Sequence, residues 1–120
     1  MRVLVLDDDF ERLKIFSRRL IGQNFHLVET AKEAIDKLST EEPFDFIFLD
    51  HDLGGQQMVT SGKNTGYEVA LWIQEHEEKW PERVIVHSFN PGGAKNMLSV
   101  LPQGSVYIPG VWCKDSFWGI

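Results

Sequence analysis

The chain contains one cysteine, Cys113, in 120 residues. No internal disulfide can form, which excludes a cross-linked secreted scaffold and fits a reducing compartment. Basic residues are in short supply: 12 Lys and Arg stand against 18 Asp and Glu, a net charge of −6. That balance excludes a broad basic surface for gripping nucleic acid. It still admits a nucleotide or a strand end held through a metal ion. No apolar run is long enough to cross a membrane, and no basic-then-apolar leader precedes the first strand. The expectation is a cytoplasmic protein without a membrane partner. Repeats, low-complexity tracts and interdomain linkers are absent too, so a single domain over residues 1–120 is predicted, with a modest core.

What is present is an alternation of strand and helix signals, which predicts an α/β sandwich: a parallel sheet with helices on both faces. Residues 2–6 read as a first strand, an aliphatic run suited to burial on both sides. Asp9 caps a helix over 10–22, with Phe10, Leu13, Phe16 and Leu20 at helical spacing and Gly22 as its stop. Phe25 to Glu29 is a more polar edge strand. Thr30 caps a second helix carrying Ala31, Ala34, Ile35 and Leu38, and 44–49 is the third strand. Asp52 to Gly66 reads as a long polar loop, and its Val59 to Asn64 stretch as a lid or a substrate-specificity loop. Thr65 caps the next helix, with Val69, Trp72 and Ile73 turned inward. Val84 to Val86 is the fourth strand, Asn90 with Pro91 starts a helix to about Leu101, and Ser105 to Ile108 is the fifth strand. The tail from Val111 is too short for a full final helix, and Trp112, Phe117 and Trp118 are expected to cover the sheet face left open.

Two strands run into carboxylates. Val3 to Leu6 ends on Asp7, Asp8 and Asp9, and Phe46 to Leu49 ends on Asp50, His51 and Asp52. Side by side, these ends gather negative charge at one spot, which is unfavourable unless a cation shares it. Oxygen donors of this kind suit a hard divalent ion, Mg²⁺ or Mn²⁺. In open parallel sheets ligands bind beyond the carboxyl ends of the strands, where these residues lie. Asp7, Asp8 and Asp50 are therefore candidate metal ligands. Asp9 takes the plainer role of helix cap.

The fourth strand ends at His87 and Ser88. The run Asn90, Pro91, Gly92, Gly93 begins a helix with little side-chain bulk, so its backbone N–H groups can hold a phosphate. An ordinary cap is the alternative reading of that motif. Ser88 can add a hydroxyl hydrogen bond. His51 and His87 are candidate acid–base groups, since imidazole titrates near neutrality. Strand alternation starts His51 on the face opposite Asp50, and His87 on the face opposite Ser88. His26 and His76 read as surface residues.

The strings Val-Leu-Val-Leu-Asp-Asp-Asp at the start, Phe-Leu-Asp at 48–50 and Val-Ile-Val-His-Ser at 84–88 resemble response-regulator receiver domains over about residues 1–108. The resemblance implies a flavodoxin-like, five-stranded sheet in order 2-1-3-4-5. It implies that Asp7 and Asp8 form the acidic metal-binding pair and that Asp50 is the phosphoacceptor. Ser88 matches the hydroxyl residue that contacts the phosphoryl group, and Asp52 the position whose backbone carbonyl reaches the metal. Receivers place a lysine followed by proline after the fifth strand, whereas Tyr107 to Val111 contains no lysine. The final helix that serves as output face is also missing.

The strings Leu-Asp-His-Asp-Leu-Gly-Gly and His-Ser-Phe-Asn-Pro-Gly-Gly-Ala-Lys-Asn-Met are more similar to a divergent branch, the cyclic-phosphate processing receiver-like domains. Membership implies hydrolysis of a cyclic phosphate on a nucleotide or RNA end, with Asp50, His51 and His87 at the chemistry. Ser88, Asn90, Gly92 and Gly93 would hold the phosphate, and Asp7, Asp8, Asp50 and Asp52 the metal. The alternative is a stand-alone receiver phosphorylated on Asp50 by a histidine kinase.

Overall fold

The computed structural model describes residues 1–119. Five parallel strands are crossed by helices in the order β1 (Arg2–Leu6), α1 (Phe10–Arg19), β2 (Asn24–Val28), α2 (Ala31–Thr40), β3 (Phe46–Leu49), α3 (Gly66–Glu75), β4 (Arg83–Val86), α4 (Pro91–Val100), β5 (Val106–Tyr107) and α5 (Asp115–Trp118). The sheet order is β2-β1-β3-β4-β5 with every pairing parallel: the residues predict the parallel sheet, and the resemblance implies this order.

Alternation along the strands splits the core into two layers. Leu4, Leu6, Ile47, Leu49, Val84 and Val86 face α2, α3 and α4. Val3, Val5, Phe48 and Ile85 face α1 and the tail. The caps act as the sequence predicts: Asp9, Thr30, Thr65 and Asn90 each accept a hydrogen bond from the first turn of the helix they precede. One apolar position departs from expectation. Phe10 is 71% exposed, because it is the first residue of α1 and lies beyond the strand ends, where no sheet remains to cover it.

Past β5 the described residues form a 3-10 turn at Val111–Cys113 and the single turn of α5. Trp118 stacks on Phe48 at 5.6 Å, Trp112 lies 6.2 Å from Phe16, and Phe117 meets the edge of Phe48 at 5.9 Å. The Trp118 indole N–H donates to the Val111 carbonyl, and the Arg19 guanidinium to that of Trp112. Three aromatic rings thus do the covering for which a receiver uses a helix. Trp118→Ala should cost about 2 kcal/mol, less than a fully buried Trp because the ring is only half-buried. Urea unfolding checks this.

Candidate functional site

The site follows from register. Leu6, Leu49 and Val86 are partners across β1, β3 and β4. The ladder continues one residue further, since the Asp50 N–H donates to Leu6 and the His87 N–H to Leu49, at 3.0 Å each. Asp7, Asp50 and His87 therefore stand in one row on the α1 side of the sheet. All three are buried, and ligand atoms from the three lie within 4.8 Å of one another.

A residue that the sequence pattern does not single out closes this row. Arg12, in the first turn of α1, forks onto Asp7, with Nε 2.9 Å from Oδ2 and Nη2 2.8 Å from Oδ1. The same Nη2 reaches Asp50 Oδ2 at 3.3 Å. Its guanidinium lies 5.2 Å from the Trp112 ring centroid, a cation–π contact that fixes its plane. An arginine three residues past an acidic N-cap, beside an inward-facing Leu13, was the available signal. Bidentate geometry makes this a strong charge-assisted pair.

His87 Nε2 lies 2.9 Å from Asp7 Oδ2. Burial pushes the Asp7 carboxyl up, but the hydrogen bonds from His87 and Arg12 outweigh it and hold the group below its ordinary range. Asp50 is different. Burial pushes it up to about 6, and the charges of His87 and Arg12 only partly offset that rise. An under-neutralised buried carboxylate beside a cavity is a marker of function.

That cavity has a volume of about 300 Å³ and is lined by Asp8, Arg12, Asp50, Asp52 and Ser88 at its base, with Gln56, Gln57, Met58 and Phe89 around the mouth. Ser88 accepts the Asn90 N–H through Oγ, which leaves its own O–H to donate. Asp8 accepts the Gly55 N–H at 2.6 Å and so ties the long loop to the site. Asp50, Asp8 and Asp52 are hard oxygen donors around one opening, and the incomplete neutralisation of Asp50 suits a further cation. The residues present thus fit a divalent ion, with His87 in the buried row where the sequence predicts only carboxylates. Among the described residues the cavity wall carries no lysine.

Other predicted site residues fall elsewhere. His51, one residue past Asp50, turns to the opposite face and is fully buried. Its ring bonds Asp52 Oδ1 through Nδ1 at 2.7 Å and Ser61 Oγ through Nε2 at 2.8 Å. A Cβ on Gly93 would meet that ring at 2.5–2.6 Å, so Gly93 is the cover over His51. Asn90 is fully committed: its amide donates to Asp52 and Val59, and its Oδ1 accepts from Gly93. Asn90 caps α4 and ties it to the loop, and Gly92 and Gly93 are not among the residues that line the cavity. Burial raises the Asp52 carboxyl, and the bonds from His51 and Asn90 more than reverse it, so it lies below its usual range. His76 is half-buried, stacked on Trp72 at 3.8 Å, and is a structural histidine.

The model of the cyclic-phosphate processing Receiver domain matches residues 2–103. No curated protein matches the chain. Among solved structures, the phosphorylated cyanobacterial phytochrome response regulator RcpA superposes with a TM-score of 0.71 at 18% identity, covering 90% of this chain and 79% of that one. A CheY-like receiver domain from Methylobacillus flagellatus gives 0.68 at 15% identity over 92% and 86% of the two chains. The BeF3-activated DrrB receiver domain gives 0.64 at 22% identity over 98% and 95%. At these identities the likeness is one of fold. Among the described residues, no helix is long and apolar enough to cross a membrane.

Proposed function

The chain belongs to the cyclic-phosphate processing Receiver domain family, and on that premise we propose that its Asp50 cavity opens a cyclic phosphate ester on a nucleotide or RNA end, assisted by Mg²⁺ or Mn²⁺. The observation that carries this reading is geometric: the buried Asp50 carboxylate lines a cavity together with the Arg12 guanidinium, which reaches its Oδ2, and the Ser88 hydroxyl; burial also raises that carboxyl, to about 6. A carboxylate of raised basicity is a better nucleophile and still ionised at neutral pH.

Asp50 Oδ1 is held by the His51 N–H at 2.9 Å, so Oδ2 is the oxygen presented to substrate. In the proposed sequence Oδ2 attacks phosphorus, and one ring P–O bond breaks. The electron pair leaves on the alkoxide oxygen, which takes a proton from water and leaves a hydroxide that the proton released in the next step neutralises. A second water attacks phosphorus and releases the carboxylate, giving a phosphate monoester and a proton. Arg12 and Ser88 donate to the non-bridging oxygens, where charge develops. A divalent ion held by Asp50, Asp8 and the carbonyl of Asp52 would neutralise those same oxygens. The rings of His51 and His87 are bound to Asp52, Ser61 and Asp7 and do not line the cavity. The acid–base part expected of them passes to Asp50 and solvent.

A stand-alone receiver that stores a phosphoryl group from a histidine kinase on Asp50 is the second reading, supported by Ser88 and Asp50 lining the same cavity. Incubation with a small phosphodonor and Mg²⁺, followed by intact mass, separates the two. Turnover predicts no lasting adduct on wild type, whereas a long-lived phosphoryl group lost in Asp50→Asn would support the signalling reading instead.

A further inference from the structure

Two exposed apolar side chains stand at the mouth of the Asp50 cavity. Phe89 is 64% exposed and Met58 66%, and both line the opening. Single exposed apolar residues are ordinary. Here two share one small cavity, and each is held in place. Phe89 lies edge-on to Trp112 at 5.4 Å, and its ring packs at van der Waals distance over Gly110, whose φ of +69 favours glycine. Trp112 in turn carries Arg12, so the Phe89 ring is fixed relative to the phosphate-binding groups.

Met58 is held at a backbone cost. Its φ is +54, a left-handed conformation that a residue with a Cβ adopts only when its surroundings impose it. In this conformation the Met58 N–H donates to Asp52 Oδ2 at 2.6 Å. Strain stored in a non-glycine residue at a cavity lip is a feature of ligand clamps. The same cavity is lined by Gln56 and Gln57, whose amides each offer both donors and an acceptor.

We propose that Phe89 and Met58 form a clamp for a nucleobase, with Gln56 and Gln57 at its polar edge, so that the phosphate ester taken at Asp50 is that of a nucleotide rather than of a simple sugar or glycerol. This rests on the reading of the Asp50 cavity as a phosphate site. An aromatic ring and a thioether lining one opening suit a flat heteroaromatic ring. The cavity volume of about 300 Å³ is at the small end for ligand sites. The net charge of −6 disfavours a long polyanion. Both point to a mononucleotide or the terminal residue of a strand.

Calorimetric titration of the wild-type protein in Mn²⁺ with adenosine 3′-phosphate, glycerol 1-phosphate and inorganic phosphate tests the clamp without turnover. Adenosine 3′-phosphate should bind at least tenfold more tightly than glycerol 1-phosphate. Phe89→Ala should remove roughly 5- to 100-fold of that affinity, while leaving glycerol 1-phosphate unchanged. Phe89→Tyr should keep it, and Met58→Ala should show a smaller loss. Equal affinity for the two esters, or an unchanged Phe89→Ala, would overturn the clamp alone. If neither ester nor inorganic phosphate binds, the phosphate reading falls with it.

Discussion

Asp50→Asn should leave the domain more stable and without activity. Burial raises this carboxyl from 3.8 to about 6. Its pKa is thus higher folded than unfolded, so the folded state favours the protonated form. No penalty is present below pH 4. It grows as pH rises through the folded value and levels off above about 7. A pKa raised by one corresponds to about 1.4 kcal/mol, so the ionised group costs the fold about 3 kcal/mol at pH 7.5. Asparagine keeps the shape and removes the charge. Urea unfolding should therefore show a gain of up to about 3 kcal/mol at pH 7.5 that vanishes near pH 4. Turnover should be lost in the same variant, because the substituted atom is the proposed nucleophile. A destabilised group retained at a site is the expected mark of chemistry. A variant no more stable than wild type at pH 7.5 would mean that Arg12 and His87 already neutralise Asp50.

Arg12→Ala is the second large effect, with the opposite sign. Asp7 is fully buried and keeps only His87 and the Asp9 N–H once the fork is gone. Removing one member of a buried pair costs about 3–5 kcal/mol, and the partly exposed guanidinium puts this case near about 3. For a domain of this size that lowers Tm by about 10 °C. The guanidinium sits among the carboxylates that would hold a metal, so the ion and the side chain draw on the same charge. Mn²⁺ should then raise Tm more in Arg12→Ala than in wild type. Equal shifts in the two proteins would show that the ion does not depend on the carboxylates that Arg12 holds.

The parts of this architecture that were legible in the sequence are those decided locally. Asp9, Thr30, Thr65 and Asn90 cap helices because a side-chain oxygen reaches an N–H two or three residues on, and that spacing is visible in the chain. The carboxylates at the ends of β1 and β3 were visible because each follows an aliphatic run. Parity along a single strand was visible too, and it set His51 apart from Asp50. The convergence of Asp7 and Asp50 was expected from their strand ends, but the row that adds His87 was not, because it depends on the register between strands, which no local pattern encodes. Arg12 escaped for a related reason. A long side chain on a helix face reads as solvated until the strand end beneath it is known to be buried. Asn90 shows a third kind of limit: cap and phosphate ligand use the same residue type, and only its ties to Asp52, Val59 and Gly93 decide between them.

The central claim is that Asp50 turns over a cyclic phosphate. Phosphorus NMR of adenosine 2′,3′-cyclic phosphate with the protein and Mg²⁺, in water enriched in ¹⁸O, tests it directly. The cyclic resonance should give way to a monoester carrying solvent oxygen with wild type and persist with Asp50→Asn. An unchanged cyclic resonance with wild type, or equal conversion by both proteins, would contradict the account.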